Sequence, residues 1–376
     1  MVNSEREGTD GQTTLRLDAA PKPRSDVPFD LALLALAHVD GLGYKGLRAL
    51  VSHFGDDLGA VWQVESAKIR RLLVDARVGS AERLSTTLAA SQAQLLDKAS
   101  HELRDLRSRQ VTVIAPSRMP RKLADLPDRP WWLFVEGRPD VLDNQPHVAV
   151  VGTRTPSLHG TKATEIVVRT MAAYPLVLVS GLANGIDATA HTIALRDGVQ
   201  NVAFLGHGLN VTFPAETASV RSKIVETGGA VVTEYLPGET YRRQNFVQRN
   251  RLQAGLADIV VPVDGAATGG TAHTVRFAAK YSRRLIGIRW EGAGDLVSLV
   301  AAQPQSVVLD AFTDEDRREL DRHMRELAAA AGHETYALRL VERLLEREMR
   351  HRDVHPSDLA RLRSRLDHVG GASDDA

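Results

Sequence analysis

The sequence predicts an α/β protein whose centre is a doubly wound, mostly parallel Rossmann-like sheet. Six short apolar runs recur between residues 146 and 290, and each gap between them has the length and pattern of a helix. The runs are continuously apolar, which indicates strands buried on both faces of a parallel sheet. The predicted strands are 148–151, 176–179, 202–205, 230–232, 259–263 and 285–288.

The composition excludes several classes of protein. The chain has 376 residues, of which 43% are hydrophobic and 25% are charged, as is typical of a globular protein with two or three domains. Because the formal net charge is zero, any surface that binds nucleic acid must be local. The absence of cysteine excludes disulfides, thiolate zinc sites and a cysteine nucleophile. No apolar run suits a signal peptide or a membrane span, so we expect a cytoplasmic protein without membrane partners.

The chain divides into four predicted regions. Residues 1–27 are polar and lack apolar periodicity, which indicates a disordered tail. Residues 28–110 have helical spacing of apolar residues and predict a small all-α domain. Residues 111–309 form the Rossmann-like domain, with a proline-rich lead-in that contains one buried strand. Residues 310–376 predict a helical C-terminal region, in which Thr313 caps the first helix.

The turn Gly41-Leu42-Gly43 joins the first two predicted helices. It resembles the turn of a helix-hairpin-helix or SAM-like module, whose amides can bind a DNA phosphate at a helix N-terminus. A tight turn that binds no ligand explains the same residues equally well.

Four of the predicted strands end in loops of small residues, and ligands of a doubly wound sheet bind at this edge. Small residues let backbone amides approach an anion, and an arginine adds a forked donor. The candidate residues are Gly152, Thr153, Arg154, Ser180, Gly181, Gly185, Asp187, Gly206, Gly208, Pro214, Gly269, Gly270 and Thr271. Neither the dinucleotide signature nor a Walker motif is present, which disfavours NAD and P-loop chemistry. Tight turns alone explain one or two of these loops.

Basic residues are concentrated in the same region. Residues 146–290 contain 15 Lys plus Arg and 9 Asp plus Glu. One cluster combines charge with an aromatic ring and consists of Arg242, Arg243, Asn245, Phe246, Arg249, Asn250 and Arg251. Such a mixture suits single-stranded nucleic acid, because phosphates give affinity and rings stack on bases. A second cluster consists of Arg276, Lys280, Arg283 and Arg284, for which a solvated helix face is the alternative.

Five ordered motifs carry a family resemblance. They are VAVVGTR (148–154), SGLANGIDATAH (180–191), FLGHGLNVTFPAE (204–216), GGAVVTEYLPG (228–238) and NFVQRNRLQAGLADIVVPVDGA (245–266). In order and spacing they resemble the DprA/Smf family. The resemblance implies a Rossmann-like domain that binds single-stranded DNA, dimerises through this domain and, in transformable bacteria, helps to load RecA. It implies no catalysis, metal or cofactor, and it places the phosphate pocket at the first three loops, with Arg249, Asn250 and Arg251 beside them.

Two departures from the family pattern leave the cellular role open. The residues 268–273 replace the usual Gly-Ser-x-x-Thr-Ala segment, and residues 310–376 lack the short strands of a winged-helix domain. The role implied is therefore either DNA processing and recombination, or that of a DNA-binding partner or antitoxin in a phage-defence operon.

Other functions remain as alternatives. A nucleotide phosphoribohydrolase would need a glutamate after Gly269-Gly270-Thr271, and none follows directly. A sensor of a free nucleotide would use the same loops as a DNA-binding protein. Asp187 and His191 are spaced as metal ligands on a helix, but a cap and a packed histidine are the favoured interpretation. Glu234 is interpreted as structural, and Trp131 and Trp132 as core rather than as base-stacking residues.

Overall fold

The computed structural model describes residues 25–143 and 145–330. The predicted disordered tail falls almost entirely outside these residues, and so does most of the predicted C-terminal helical region. The described chain begins with five helices. They are α1 (Phe29–Ala37), α2 (Gly43–Phe54), α3 (Ser66–Asp75), α4 (Ala81–Ala90) and α5 (Gln92–Ser108).

Apolar spacing explains the helices of the N-terminal region. In α2, Leu47, Leu50 and Val51 lie three and four residues apart and are all buried. Helix α1 is apolar almost throughout and packs against α5, so it forms the centre of this small core. Leu42, in the glycine turn, is also buried, as predicted.

Nine strands form a single sheet. They are β1 (Val111–Ile114), β2 (Leu133–Gly137), β3 (His147–Val151), β4 (Val177–Ser180), β5 (Gln200–Phe204), β6 (Ala230–Thr233), β7 (Ile259–Pro262), β8 (Arg284–Arg289) and β9 (Ser306–Asp310). Their spatial order is β1-β2-β6-β5-β4-β3-β7-β8-β9. The run from β6 to β9 is parallel, while β1 and β2 pair antiparallel at one edge. The predicted doubly wound, mostly parallel sheet is confirmed, and β1 is an additional strand that we did not predict.

Helices cover both faces of the sheet. They are α6 (Arg121–Ala124), α7 (Leu158–Met171), α8 (Ile186–Arg196), α9 (Ala218–Glu226), α10 (Arg243–Leu256), α11 (Gly270–Lys280), α12 (Leu296–Ala301) and α13 (Asp314–Ala330). Side chains of α10, α11 and α12 share one core with alternate strand residues such as Ala149 and Val151. The intervening residues Val148 and Val150 pack with α7, α8 and α13 on the other face. The Thr313 hydroxyl accepts a hydrogen bond from the Asp316 amide, so the predicted cap is confirmed.

The topology fixes where a ligand can bind. The chain leaves β3 toward β4 on one side and later returns to β7 on the other, which places a crevice at the carboxyl ends of these strands. Because β2 is antiparallel to β6, its beginning lies at this same carboxyl edge. The N-terminal helical region packs against the sheet here through Trp132 and Phe134. Among residues 25–143 and 145–330, no helix is long and apolar enough to cross a membrane.

Candidate functional site

A cleft of about 690 Å³ lies at the carboxyl edge, where the chain changes direction across the sheet. The loops after β3, β4 and β7 form its sides, and α10 forms one wall. Its lining includes Gly152, Thr153, Arg154, Ala183, Asp187, Phe213, Tyr241, Arg243, Phe246, Arg249, Asn250, Gly265, Gly269, Gly270, Thr271 and His273. A smaller adjoining hollow is lined by Gly181, Gly206, His207 and Pro214, and it shares Arg154, Phe213 and Phe246 with the cleft.

The loop after β3 is joined to the loop after β7. The Thr153 amide donates to the Asp264 carbonyl over 2.8 Å, and the Asp264 carboxylate accepts from the amide and the hydroxyl of Ser157 at 3.0 and 3.1 Å. Ser157 also caps α7, because its hydroxyl accepts from the Gly160 amide. Asp264 therefore holds the two sides of the cleft together, a role that we did not predict for it.

The loop after β4 is held from below by a buried carboxylate. Burial raises the pKa of Asp187, while the charge of Arg249 and hydrogen bonds with Ser180, Ala183 and Gly152 act in the opposite direction. Gly185 has a φ of +85°, and a side chain there would collide with the Thr153 carbonyl. Asp187 thus joins the loop after β4 to the loop after β3 beneath the cleft.

Arg249 forms the floor of the cleft. Its guanidinium is 3% exposed and donates to the Gly181 carbonyl over 2.7 Å and to the Phe204 carbonyl. Burial lowers the pKa of Arg249 to about 10, and the charge of Asp187 opposes this shift. Arg249 is therefore still a cation at neutral pH, held below the loops by two backbone carbonyls.

Aromatic rings form the wall opposite the glycine-rich loops. Phe213 and Tyr241 stack with ring centroids 3.8 Å apart, and Phe246 lies 5.8 Å from Phe213. The Arg154 guanidinium lies 5.0 Å from the centre of the Phe246 ring. Phe246 was a predicted site residue, but the stacked pair of Phe213 and Tyr241 was not. The pair brings together two loops that are distant in sequence.

The charged side chains that line the cleft are predominantly cationic. Arg154 and Arg243 are exposed, and neither forms an ion pair within residues 25–143 and 145–330. Asp187 is the one acidic residue of the lining, and it is buried beneath the loops. The cleft therefore presents a positive potential to the solvent.

Most predicted site residues lie at the cleft or its adjoining hollow, but six do not line either space. The side chain of Ser180 is buried and donates to the Val150 carbonyl, and Asn245 is also buried. Gly185 packs on the loop after β3, and Gly208 packs on the backbone of residues 236–237. Arg242 precedes α10 and faces Glu239.

The sixth, Arg251, is a correction to the predicted pocket. It was expected beside the phosphate site, but its side chain is 6% exposed and forms an ion pair with the equally buried Glu234. Helix α10 carries Arg249 and Arg251 in different directions, because residues two apart in a helix do not share a face. Glu234 has the structural role expected of it, and Arg251 lies in the interior rather than at the cleft.

Three single-residue interpretations can be compared with the structure. His191 is buried and bonds to the Asn201 side chain at 2.8 Å, and burial lowers its pKa to about 4. Within the described ranges, no group of three or more potential ligands could hold a metal ion. Trp132 is buried and donates from its indole N–H to the Glu234 carbonyl. Trp131, by contrast, is only half-buried.

The fold and the cleft define a class of protein, namely Rossmann-like domains with a glycine-rich, cationic binding edge. Residues 110–293 match the profile of the DNA recombination-mediator protein A family. Protein Smf of Synechocystis sp. is 29% identical over 258 residues, which cover 68% of this chain and 63% of that protein. The DNA processing protein DprA of Streptococcus pneumoniae is 37% identical over 169 residues, covering 45% and 59%. The central domain of the chain belongs to the DprA/Smf family.

Two solved structures have a similar fold. DNA processing protein A from Streptococcus pneumoniae superposes with a TM-score of 0.55 and 24% identity, covering 78% of this chain and 92% of that one. The Helicobacter pylori protein, described for its single-stranded DNA binding mode, gives 0.51 and 24%, covering 58% and 97%. The curated relatives are matched over about half to three fifths of their own length.

Proposed function

We propose that this chain binds single-stranded DNA in the cleft at the carboxyl edge and acts in DNA processing or recombination. One observation carries the proposal: the cleft combines stacked aromatic rings with exposed cations that form no ion pair among the described residues. Single-stranded nucleic acid needs this combination, because phosphates are neutralised by cations while unpaired bases stack on rings.

The phosphates would follow the glycine-rich side. Arg154 and Arg243 supply mobile cations at the rim, and Arg249 adds fixed positive charge beneath. The amides that begin α11 at Gly270 and Thr271 face the same space, so the positive end of a helix adds to the attraction. Asp187 and Asp264 keep the loops in place without entering the path of the phosphates.

The bases would stack on the aromatic side. Tyr241 is 47% exposed and stacks on Phe213, so one face of this pair is available to a base. Arg154 lies over Phe246 and can contact a ring and a phosphate at once. Stacking on aromatic rings is tolerant of sequence, so we expect binding with little base preference.

The family also implies finer roles, which we infer from the resemblance together with the relatives. These are a cytoplasmic location, a homodimer formed through the Rossmann-like domain, and a protein partner that is either RecA or a toxin or defence protein of the same operon. Sedimentation of the purified chain tests the dimer. Co-purification with RecA, or with the products of the neighbouring genes, tests the partner.

Two competing functions use the same cleft. A sensor of free nucleotide would bind a mononucleotide as tightly as an oligonucleotide. A nucleotide hydrolase would release base or sugar phosphate, but the segment Gly270-Thr271-Ala272-His273 carries no carboxylate at the cleft. The aromatic wall together with several rim cations favours a polymer, which can occupy them at the same time.

Adjacent arginines give a matched test of this proposal. Arg243 lines the cleft, whereas Arg242 faces Glu239 and does not. In fluorescence anisotropy with a labelled 15-residue oligo-dT, we expect Arg243→Ala to weaken binding and to reduce the salt dependence by roughly 0.7 in slope. We expect Arg242→Ala to have a smaller effect. Wild-type binding by Arg243→Ala, or displacement of the oligonucleotide by equimolar dTMP, would overturn the proposal.

A further inference from the structure

A second surface with aromatic and basic character lies where the N-terminal helices meet the sheet. We call it the junction patch, and it consists of Tyr44, Lys45, Arg48, Arg129 and Trp131. Arg129 lies 4.5 Å and Arg48 lies 5.9 Å from the centre of the Trp131 ring, so one indole is flanked by guanidinium groups from two different regions of the chain.

The patch is available to solvent. Tyr44 is 44% exposed, Lys45 and Arg48 are exposed, and Trp131 is half-buried. In the portion of the chain that the structure describes, Lys45, Arg48 and Arg129 form no ion pair. Packing alone explains Trp132, which is fully buried beside Tyr44. It does not explain two guanidinium groups beside a partly exposed indole that form no ion pair among the described residues.

The patch lies at the same edge of the sheet as the cleft. Trp131 lies two residues before β2, whose beginning pairs with the end of β6. Tyr44 lies near that end of β6, because its ring lies 5.3 Å from that of Trp132, whose indole N–H donates to the Glu234 carbonyl. The loop that follows β6 continues to Tyr241 in the aromatic wall of the cleft. This loop thus runs from a point near the exposed Tyr44 of α2 to the exposed Tyr241.

We propose that the junction patch is a second contact for single-stranded DNA, which takes up the strand as it leaves the cleft past Tyr241. This proposal rests on the proposed function of the cleft. A base would stack on Trp131 or Tyr44, and Lys45, Arg48 and Arg129 would neutralise the phosphates on either side. The turn at Gly43, which begins α2, would then face the strand, as expected of a module that binds DNA with its turn.

The dimensions agree with one continuous strand. Four strand spacings separate β3 from β2, or roughly 19 Å at about 4.8 Å each. Roughly six nucleotides cover this length at about 3.4 Å per nucleotide. An oligonucleotide of five residues can therefore fill the cleft alone, whereas one of fifteen can reach the patch.

Two nearby carboxylates oppose the strand only weakly. Asp128 is bound by Lys280 and by the Tyr281 hydroxyl, at 2.8 and 2.6 Å. Glu239 faces Arg242, and burial raises its pKa. The cations of the junction patch therefore outweigh the acidic groups around them.

The test compares two double variants that each remove two exposed cations from the N-terminal region. Lys45→Ala/Arg48→Ala changes the patch, and Lys68→Ala/Arg71→Ala changes α3 as a matched control. Anisotropy is measured with dT5 and dT15 over a range of salt concentrations. We expect the patch variant to weaken dT15 binding several-fold and to lower its salt slope by roughly 1.4, with dT5 unchanged and the control like wild type.

Trp131 provides a separate readout of stacking. Loss of one stacked base costs about 1–3 kcal/mol, so Trp131→Leu should weaken dT15 binding at least about fivefold and leave dT5 binding unchanged. Circular dichroism checks that this variant is folded. Equal binding of dT15 by the wild type, Trp131→Leu and the patch variant would overturn the proposal. This is also the result expected if the patch binds a protein and not DNA.

The outcomes separate the patch from the cleft. If the cleft is wrong and the patch is right, Arg243→Ala leaves both oligonucleotides unaffected while the patch variant still weakens dT15. If the patch is wrong and the cleft is right, Arg243→Ala weakens both oligonucleotides and the patch variant weakens neither.

Discussion

Two basic clusters that look alike in the sequence lie at opposite edges of the sheet. The first surrounds the beginning of α10 and includes Arg243. Three residues of the second, Lys280, Arg283 and Arg284, lie between the end of α11 and the beginning of β8, whereas Arg276 donates to the Ala267 carbonyl in the loop after β7. In a parallel α/β unit, a helix begins at the carboxyl edge and the following strand begins at the amino edge. Lys280, Arg283 and Arg284 of the second cluster therefore lie away from the cleft.

The clusters also differ in how far their charges are neutralised. In the second, Lys280 is paired with Asp128 at 2.8 Å, Arg283 donates to the Gly255 carbonyl over 2.6 Å, and Arg284 lies 3.8 Å from Glu326. Arg154 and Arg243 form no such pair among the residues described. A count of charges in the sequence therefore overstates the second cluster, because most of its cations stabilise the fold.

The largest effect that tests this comparison is on stability, and it comes from within the first cluster. Arg251→Ala leaves Glu234 buried without its partner, so we expect the free energy of unfolding to fall by about 3–5 kcal/mol. Urea denaturation measures this change. The double variant Arg251→Met/Glu234→Leu removes both charges and should recover most of the loss. If Arg251→Ala has normal stability but loses dT15 binding, Arg251 contacts the DNA as the sequence predicted.

A smaller effect on stability concerns two histidines, His191 near Arg249 of the first cluster and His323 near Arg284 of the second. Burial lowers the pKa of His191 to about 4, whereas the unfolded chain binds the proton near 6.5. Protons then bind preferentially to the unfolded state, so stability present above pH 6.5 is lost as the pH falls toward 4. The loss amounts to at most about 3 kcal/mol for this residue.

Unfolding at pH 7.5 and pH 4.5 measures this dependence. We expect His191→Gln to reduce the dependence of stability on pH. Part of this dependence should remain in the variant, because the pKa of His147 is also lowered to about 4. His323, beside Arg284, is less buried, and His323→Gln should change the dependence less. An equal pH dependence for wild type and His191→Gln would show that His191 is not neutral in the folded protein.

The smallest effect is expected in the second cluster. The pair between Arg284 and Glu326 is half-exposed, so Arg284→Ala should cost no more than about 1 kcal/mol of stability. Its affinity for dT15 and its salt slope should equal those of wild type, although it removes the same charge as Arg243→Ala. A loss of affinity equal to that of Arg243→Ala would mean that the strand also contacts the amino edge.

The sheet and its loops could be predicted because local sequence determines them. Strands buried on both faces are apolar without interruption, and the glycines after them allow close approach of loops, as at Gly185 beside Thr153. The short strand β1 was missed because four residues beside a proline-rich segment give little periodicity. Its pairing with β2 depends on tertiary contacts.

The directions in which the side chains of Arg249 and Arg251 point could not be predicted from the sequence. In the second half of α10, Arg249 and every residue from Arg251 to Leu256 are buried, so no continuous polar face shows how the helix is oriented. Arg249 and Arg251 therefore look equivalent in the sequence, although one lies under the cleft and the other pairs with Glu234. The contact of Phe213 with Tyr241 was also hidden, because it depends on how two loops meet above the sheet.

Amide hydrogen exchange with and without dT15 tests most directly whether the carboxyl edge is the DNA-binding edge. We predict slower exchange on addition of dT15 in residues 152–160, 206–216, 240–250 and 264–271. Residues 120–126 and 282–285, at the amino edge, should exchange as in the free protein. Protection confined to the amino edge, or absent from the loops after β3 and β7, would contradict the assignment of the cleft.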